Sequence, residues 1–232
     1  MASRRQERSK PPGPSRSDRP RVGPVGLRII GGTLRGRKLR YSGDPAVRPM
    51  KDRVRETVFN LLGPAVKGMH ALDLFAGTGA LGLEAISRGA VRATLLEQHY
   101  PTARCLAENI AALGVERQAE LVVGSVFVRH LWQDRLGETP WLVFSSPPYA
   151  FYVDRREEML GLLGWLLETA PAGSLFVVES DEQFDFGSLP DPPAWDVRTY
   201  RPAVVGIYRR VQGSGFRGQG SGFGVQGSEV RG

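Results

Sequence analysis

The sequence predicts a doubly wound α/β fold, and three observations carry that expectation. Short apolar runs alternate with segments of helical spacing from residue 70 to about residue 179. Such alternation belongs to a parallel sheet with helical crossovers. A Gly-rich turn, Ala76-Gly77-Thr78-Gly79, follows the first run. Later, the apolar run at 141–145 stops at Ser146-Pro147-Pro148-Tyr149. Paired prolines cannot continue a ladder, so that strand must end and the following loop is stiff.

The elements follow in order. Residues 27–31 and 36–40 read as a short hairpin, with Gly36 and basic residues near its turn. Residues 51–62 place Val54, Val58 and Leu61/Leu62 at helical spacing. Strands at 70–75, 92–97, 119–123, 141–145 and 174–179 then alternate with helices at 79–88, 100–113, 126–136 and 154–169. Pro171 and Gly173 break the chain before the last of these strands. Trp132, Trp141, Trp165 and Trp195 are expected in the core, and His70 as a strand-start residue.

The first strand and its turn have the chemistry of a nucleotide site. Gly77, Gly79 and Gly82 satisfy G-x-G-x-x-G, which alone is weak. Asp73 ends the strand, where a carboxylate suits a cationic ligand group. Glu97 ends the next apolar run, where it suits a ribose diol. An adenosine ligand with an amino-acid end satisfies both acids, and S-adenosylmethionine is such a ligand. Phe75, Ala76, Gly77, Thr78 and Gly79 form the expected cradle. A generic βα turn with two surface acids is the plain alternative.

The second strand end suits a planar ring with an exocyclic amine. Tyr149 offers a stacking face. The Ser146 hydroxyl and a carbonyl of the Pro147-Pro148 loop can accept from the NH2 group. A nicotinamide oxidoreductase would leave this Pro-Pro-Tyr unexplained. Phe151 and Tyr152 follow as candidate walls of the base pocket, and Asn109 as a residue that caps, lines or packs.

Charge is lopsided. Residues 1–55 hold 16 Lys and Arg against 4 Asp and Glu in a chain of net charge +7, so the remainder is acidic. A basic segment ahead of an α/β domain suits phosphate contacts. Arg28, Arg35, Arg37, Lys38, Arg48, Arg53 and Arg55 are the candidates. Residues 1–24 are rich in Pro, Arg and Ser and read as a disordered basic arm. Residues 212–232 carry a Gly/Ser-rich near-repeat and read as a disordered tail. Between them, 25–62 read as an amino-terminal unit whose basic residues would contact nucleic acid, and 63–211 as the α/β domain that carries both strand-end sites. Cys105 is the sole cysteine, which excludes an internal disulfide and suits a reducing, cytoplasmic setting. No Cys/His cluster suggests a metal, and no apolar stretch suggests a membrane span or signal peptide.

At these residues the chain resembles a family. The turn DLFAGTG at 73–79 is similar to motif I of class I methyltransferases. Ser146-Pro147-Pro148-Tyr149 is similar to motif IV of the amino-methylating branch. Residues 28–39 (RIIGGTLRGRKL) and 48–62 (RPMKDRVRETVFNLL) resemble the bacterial 16S ribosomal RNA guanine-N2 methyltransferases, which modify guanine 966 of the small-subunit RNA. The resemblance spans about Arg28 to Arg210. It implies a Rossmann-like, mostly parallel seven-stranded sheet closed by an antiparallel carboxyl-terminal strand, with 196–201 and 203–211 as the closing pair around Pro202. It implies S-adenosylmethionine as cofactor, 16S rRNA within the 30S subunit or an assembly intermediate as partner, and direct methyl transfer to the guanine N2 amine. Two positions depart from the family. Ser146 stands where Asp or Asn is usual, as in DNA cytosine-N4 methyltransferases. Ser125 stands where many relatives have an acid that holds the adenine amine. These departures keep two alternatives open, a DNA amino methyltransferase and a catalytically weak RNA-binding assembly factor. No segment here has the size of a DNA target-recognition region.

Overall fold

The structure is a computed structural model that describes residues 26–41 and 50–210. The expected arm at 1–24, the tail at 212–232 and Arg48 lie outside the described residues.

Seven strands form one sheet: β1 (His70–Asp73), β2 (Arg92–Glu97), β3 (Ala119–Val123), β4 (Trp141–Ser145), β5 (Leu175–Asp181), β6 (Trp195–Tyr200) and β7 (Ala203–Arg209). Their order is β3-β2-β1-β4-β5-β7-β6. Strands β1 to β5 pair in parallel, and β7 runs antiparallel to both β5 and β6. Strand β1 therefore lies between β2 and β4, and the order reverses there. Open α/β sheets bind ligands at the carboxyl ends flanking such a reversal.

The helices are α1 (Asp52–Leu62), α2 (Ala80–Ser87), α3 (Tyr100–Leu113), α4 (Phe151–Asp154) and α5 (Arg156–Thr169). Helix α1 buries Val54, Val58, Phe59 and Leu62, the stripe its periodicity dictates. Period-two alternation assigns the central strands to two cores. Ala71, Leu142 and Phe144 face a cluster with α1, α2 and α3. Leu72 and Val143 face a second cluster with α5, Trp132, Trp141 and Trp195.

Three expected elements differ. The hairpin keeps one bridge, Arg28 to Lys38, around a turn rather than two paired strands. Its chain is held from outside instead: Ile30 N and Gly31 N donate to Glu84 of α2 at 2.7 and 2.8 Å. Gly32 has φ +76°, and a Cβ there would sit 1.8 Å from the Ser87 carbonyl oxygen. The helix expected at 126–136 is two single 3-10 turns, Arg129–Leu131 and Gln133–Arg135. The buried Trp132 indole Nε1 donates to the Val126 carbonyl at 2.9 Å and ties the second turn back to the start of the segment. The helix expected at 154–169 starts early as α4 and breaks at Arg155, whose φ/ψ is −129°/33°. That guanidinium lies 3.9 Å over the Phe127 ring.

Candidate active site

A cleft of about 640 Å³ opens at the carboxyl ends of the central strands. Both sequence motifs reach it. Phe75, Ala76, Gly77 and Thr78 line it from the turn after β1, Glu97 from the end of β2, and Ser146, Pro147, Pro148 and Tyr149 from the loop after β4. Phe75 meets Phe151 edge-on at 5.9 Å, so the two halves share an aromatic contact.

The cofactor half is braced by carboxylates. Glu97 Oε2 accepts from Gly77 N at 2.9 Å, and its Oε1 accepts from His99 N at 2.7 Å. Gly79 caps α2 in the left-handed region at φ +84°, which glycine adopts without a Cβ penalty. Its own atoms do not line the cleft. Asp73 is 1% exposed and lies behind the turn, where Oδ2 accepts from Gly82 N at 3.0 Å. Its Oδ1 is buried with no hydrogen-bond partner. Burial, with a smaller contribution from the Glu97 charge, pushes the Asp73 carboxyl up to about 7. Asn109 also stands behind the turn and does not line the cleft. Its amide donates to Thr78 O and Arg40 O, both at 3.0 Å, and its Oδ1 accepts from Arg40 N at 2.7 Å. Ser125 does not line the cleft, where Gly124 and Val126 do. The Ser125 hydroxyl instead accepts from Phe127 N within its own loop.

The residues fit S-adenosylmethionine. The glycine turn and Glu97 line the cleft, where a carboxylate at the strand end accepts from a ribose diol, and the Asp73 carboxylate just behind the turn puts negative charge where a cationic amino-acid end would sit.

The acceptor half holds a residue absent from the expectations. Glu179 of β5 lines the cleft beside Ser146. Its Oε2 accepts a hydrogen bond from the Ser146 hydroxyl, and its Oε1 accepts from the Tyr149 hydroxyl at 3.3 Å. Its sequence signal was an acid near the end of an apolar run, the same signal as Asp73 and Glu97. Phe151 lines the cleft as expected. Tyr152 instead is buried behind it, 4.3 Å from the Phe184 ring. Met50, Lys51 and Val54 close the cleft from the α1 side, and Tyr200, Pro202 and Ala203 from the turn between β6 and β7.

The basic candidates divide. Arg28, Arg35, Arg37, Lys38 and Arg53 are exposed. Arg55 is 0% exposed and is removed from the RNA-contacting set. It pairs with Asp52 at 3.0 Å and approaches Glu84 at 3.9 Å, and it donates to the Arg28 carbonyl. Its place on the inward stripe of α1, one residue after Val54, explains the burial. His70 is buried too, with Nε2 2.9 Å from Thr94 Oγ1, and burial lowers its pKa to about 4.

Comparison with known proteins agrees with this arrangement. Residues 27–196 match the family described as Conserved hypothetical protein 95. The chain belongs to this family. It is 41% identical over 193 residues to ribosomal RNA small subunit methyltransferase D of Escherichia coli, covering 80% of this chain and 89% of the relative. The Haemophilus influenzae protein of the same name is 33% identical over 189 residues, covering 80% and 93%. A solved structure of a hypothetical protein from Thermus thermophilus superimposes with a TM-score of 0.61 at 28% identity, covering 78% of this chain and 98% of that one.

Proposed function

We propose that this chain is a cytoplasmic, S-adenosylmethionine-dependent methyltransferase that modifies the N2 amine of a guanine in 16S rRNA, within the 30S subunit or an assembly intermediate. The observation that carries the reading is the shared cleft in which the glycine turn after β1 meets Ser146-Pro147-Pro148-Tyr149 after β4. Its family relatives are named as small-subunit rRNA methyltransferases.

The cofactor would be held by the Phe75–Gly79 turn and Glu97, with Asp73 bracing the turn from behind and adding negative charge there, and it would supply an electrophilic methyl on a sulfonium centre. This chain's residues do the rest. Tyr149 stacks on the base, and Ser146 and a carbonyl of the Pro-Pro loop accept from its amine. The nitrogen lone pair is thereby aimed at the methyl; the N–C bond would form as the S–C bond breaks, the amine would lose one proton to solvent, and holding the two groups in contact lowers the barrier by orientation. No nucleophilic side chain is required. The target base is unstacked or already in a loop when it enters. Arg28, Arg35, Arg37, Lys38 and Arg53 are exposed on the amino-terminal part of the chain, of which Met50, Lys51 and Val54 line the cleft, and their charge suits backbone phosphates.

Labelled cofactor offered with naked 16S RNA, 30S particles and DNA, followed by nucleoside analysis, tests the reading. N2-methylguanine from one of the RNA forms is the expected product. Methylated adenine or cytosine from DNA, or cofactor binding without transfer to any substrate, would overturn it.

A further inference from the structure

Glu179 is a carboxylate at the acceptor wall of the cleft, beside Ser146 and Tyr149. It is 6% exposed. A carboxylate held away from water is costly unless other groups compensate it. Here it holds both functional side chains of the loop after β4, taking the Ser146 hydroxyl on Oε2 and the Tyr149 hydroxyl on Oε1.

This pairing decides what Ser146 can do. A serine hydroxyl has one proton. With that proton directed to Glu179, the Ser146 oxygen turns only lone pairs towards a ligand in the cleft. An ionised carboxylate likewise accepts and never donates, and it has about four lone-pair positions. The wall therefore presents two acceptors side by side.

Only some bases match such a wall. Guanine carries adjacent donors, N1–H and the N2 amine. Adenine and cytosine each place an amine beside a bare ring nitrogen, which would set lone pair against lone pair. A flipped or looped base is read on this same edge.

We propose that Glu179 is the residue that selects guanine, accepting from N1–H while Ser146 accepts from the N2 amine. Tyr149, tied to the same carboxylate, sets its ring across the face of the selected base. The proposal rests on the function proposed above and adds the group that distinguishes guanine from the bases of a DNA amino methyltransferase.

The test uses the full chain and the RNA form that it methylates, carrying guanine or 2-aminopurine at the target position. 2-Aminopurine keeps the amine but has a lone pair where guanine has N1–H. The parent enzyme should favour guanine in kcat/KM by on the order of a hundredfold. Glu179→Gln, whose amide can donate to a bare ring nitrogen, should lose rate on guanine and reduce the preference to less than about tenfold. Ser146→Ala should slow both substrates alike and leave the ratio unchanged. Retained binding of S-adenosylhomocysteine shows that each variant is folded.

A parent enzyme without preference between the two bases overturns the proposal, and this arm needs no variant. So does Glu179→Gln with the parent's preference intact. In both cases N2-methylguanine formation still supports the proposed function. A parent enzyme that makes no N2-methylguanine on any RNA form overturns that function and this proposal together.

Discussion

The two halves of the cleft are built alike and differ in how far their braces lie along the chain. At the β1/β2 end, Asp73 accepts from an amide nine residues on, in the first turn of α2, and Glu97 holds an amide twenty residues back. At the β4/β5 end, Glu179 lies 33 residues beyond Ser146, with α4 and α5 between them. Each half sets a carboxylate at a strand end. In the first half it supports a backbone turn, whereas in the second it orients side-chain hydroxyls. A brace on backbone belongs to the fold of the turn. A brace on hydroxyls determines which lone pairs a substrate meets.

A third buried acid gives the scale for a purely structural role. Glu84 lies outside the cleft and holds Ile30 N, Gly31 N and Arg88, with Arg55 nearby. Glu84→Ala should lower stability by about 3–5 kcal/mol, because Arg55 and Arg88 lose their shared buried partner. Denaturant unfolding measures it. If the variant is as stable as the parent, Glu84 is not a brace.

Asp73 should affect stability and cofactor affinity in opposite senses. Its carboxyl titrates near 7 when folded and near 3.8 when unfolded. The folded state keeps the proton longer, so stability falls as pH rises from about 4 to 7, by up to roughly 4 kcal/mol. His70 acts in the other direction. Its folded pKa is lowered from 6.5 to about 4, so its contribution is present above 6.5 and is lost as pH falls towards 4. Asp73→Asn should therefore leave stability that rises with pH over that window, as urea unfolding of the cofactor-free protein would show. Cofactor affinity in the parent should strengthen as pH rises through 7, because the charge of the ionised acid behind the turn favours a cationic group in the cleft. Calorimetry that finds the same pH dependence in Asp73→Asn would assign the effect elsewhere.

On the acceptor side, Ser146→Ala should slow single-turnover transfer by roughly ten- to a hundredfold, about 1.5–3 kcal/mol for one bond lost in the transition state. Tyr149→Ala should cost at least as much, since it removes the stacking surface. Tyr149→Phe keeps that surface and loses the hydroxyl with its bond to Glu179, so its cost should be smaller than either. Equal rates for Tyr149→Phe and Tyr149→Ala would mean that the hydroxyl, not the ring, is the useful part.

The smallest effect separates neighbours on one helix. Arg53→Ala should weaken RNA binding and reduce the salt slope by about 1, with stability little changed. Arg55→Ala should do the reverse, destabilising the fold while the salt slope stays. Filter binding across a salt series, run beside unfolding curves, distinguishes the two.

Much of this protein was determined by short-range pattern. Apolar runs of strand length, the α1 stripe and the glycine turn each depend on neighbours within a few residues, so the elements and both motifs could be read directly. The same rule accounts for the misreadings. The segment 126–136 reads as a helix, but it folds as two short turns around the Trp132 side chain, which is fully buried with its indole on the Val126 carbonyl. Arg53 and Arg55 look alike in a list of charges, and only the direction each faces from α1 makes one a surface cation and the other part of the core. Asp73 and Ser125 were placed at the cleft by their motifs, and packing set one behind the turn and the other within its own loop. Glu179 was visible as one more acid ending an apolar run. Its partners were not, because strand pairing across a crossover, a long-range event, brings β5 beside β4 and Glu179 onto the Ser146 hydroxyl.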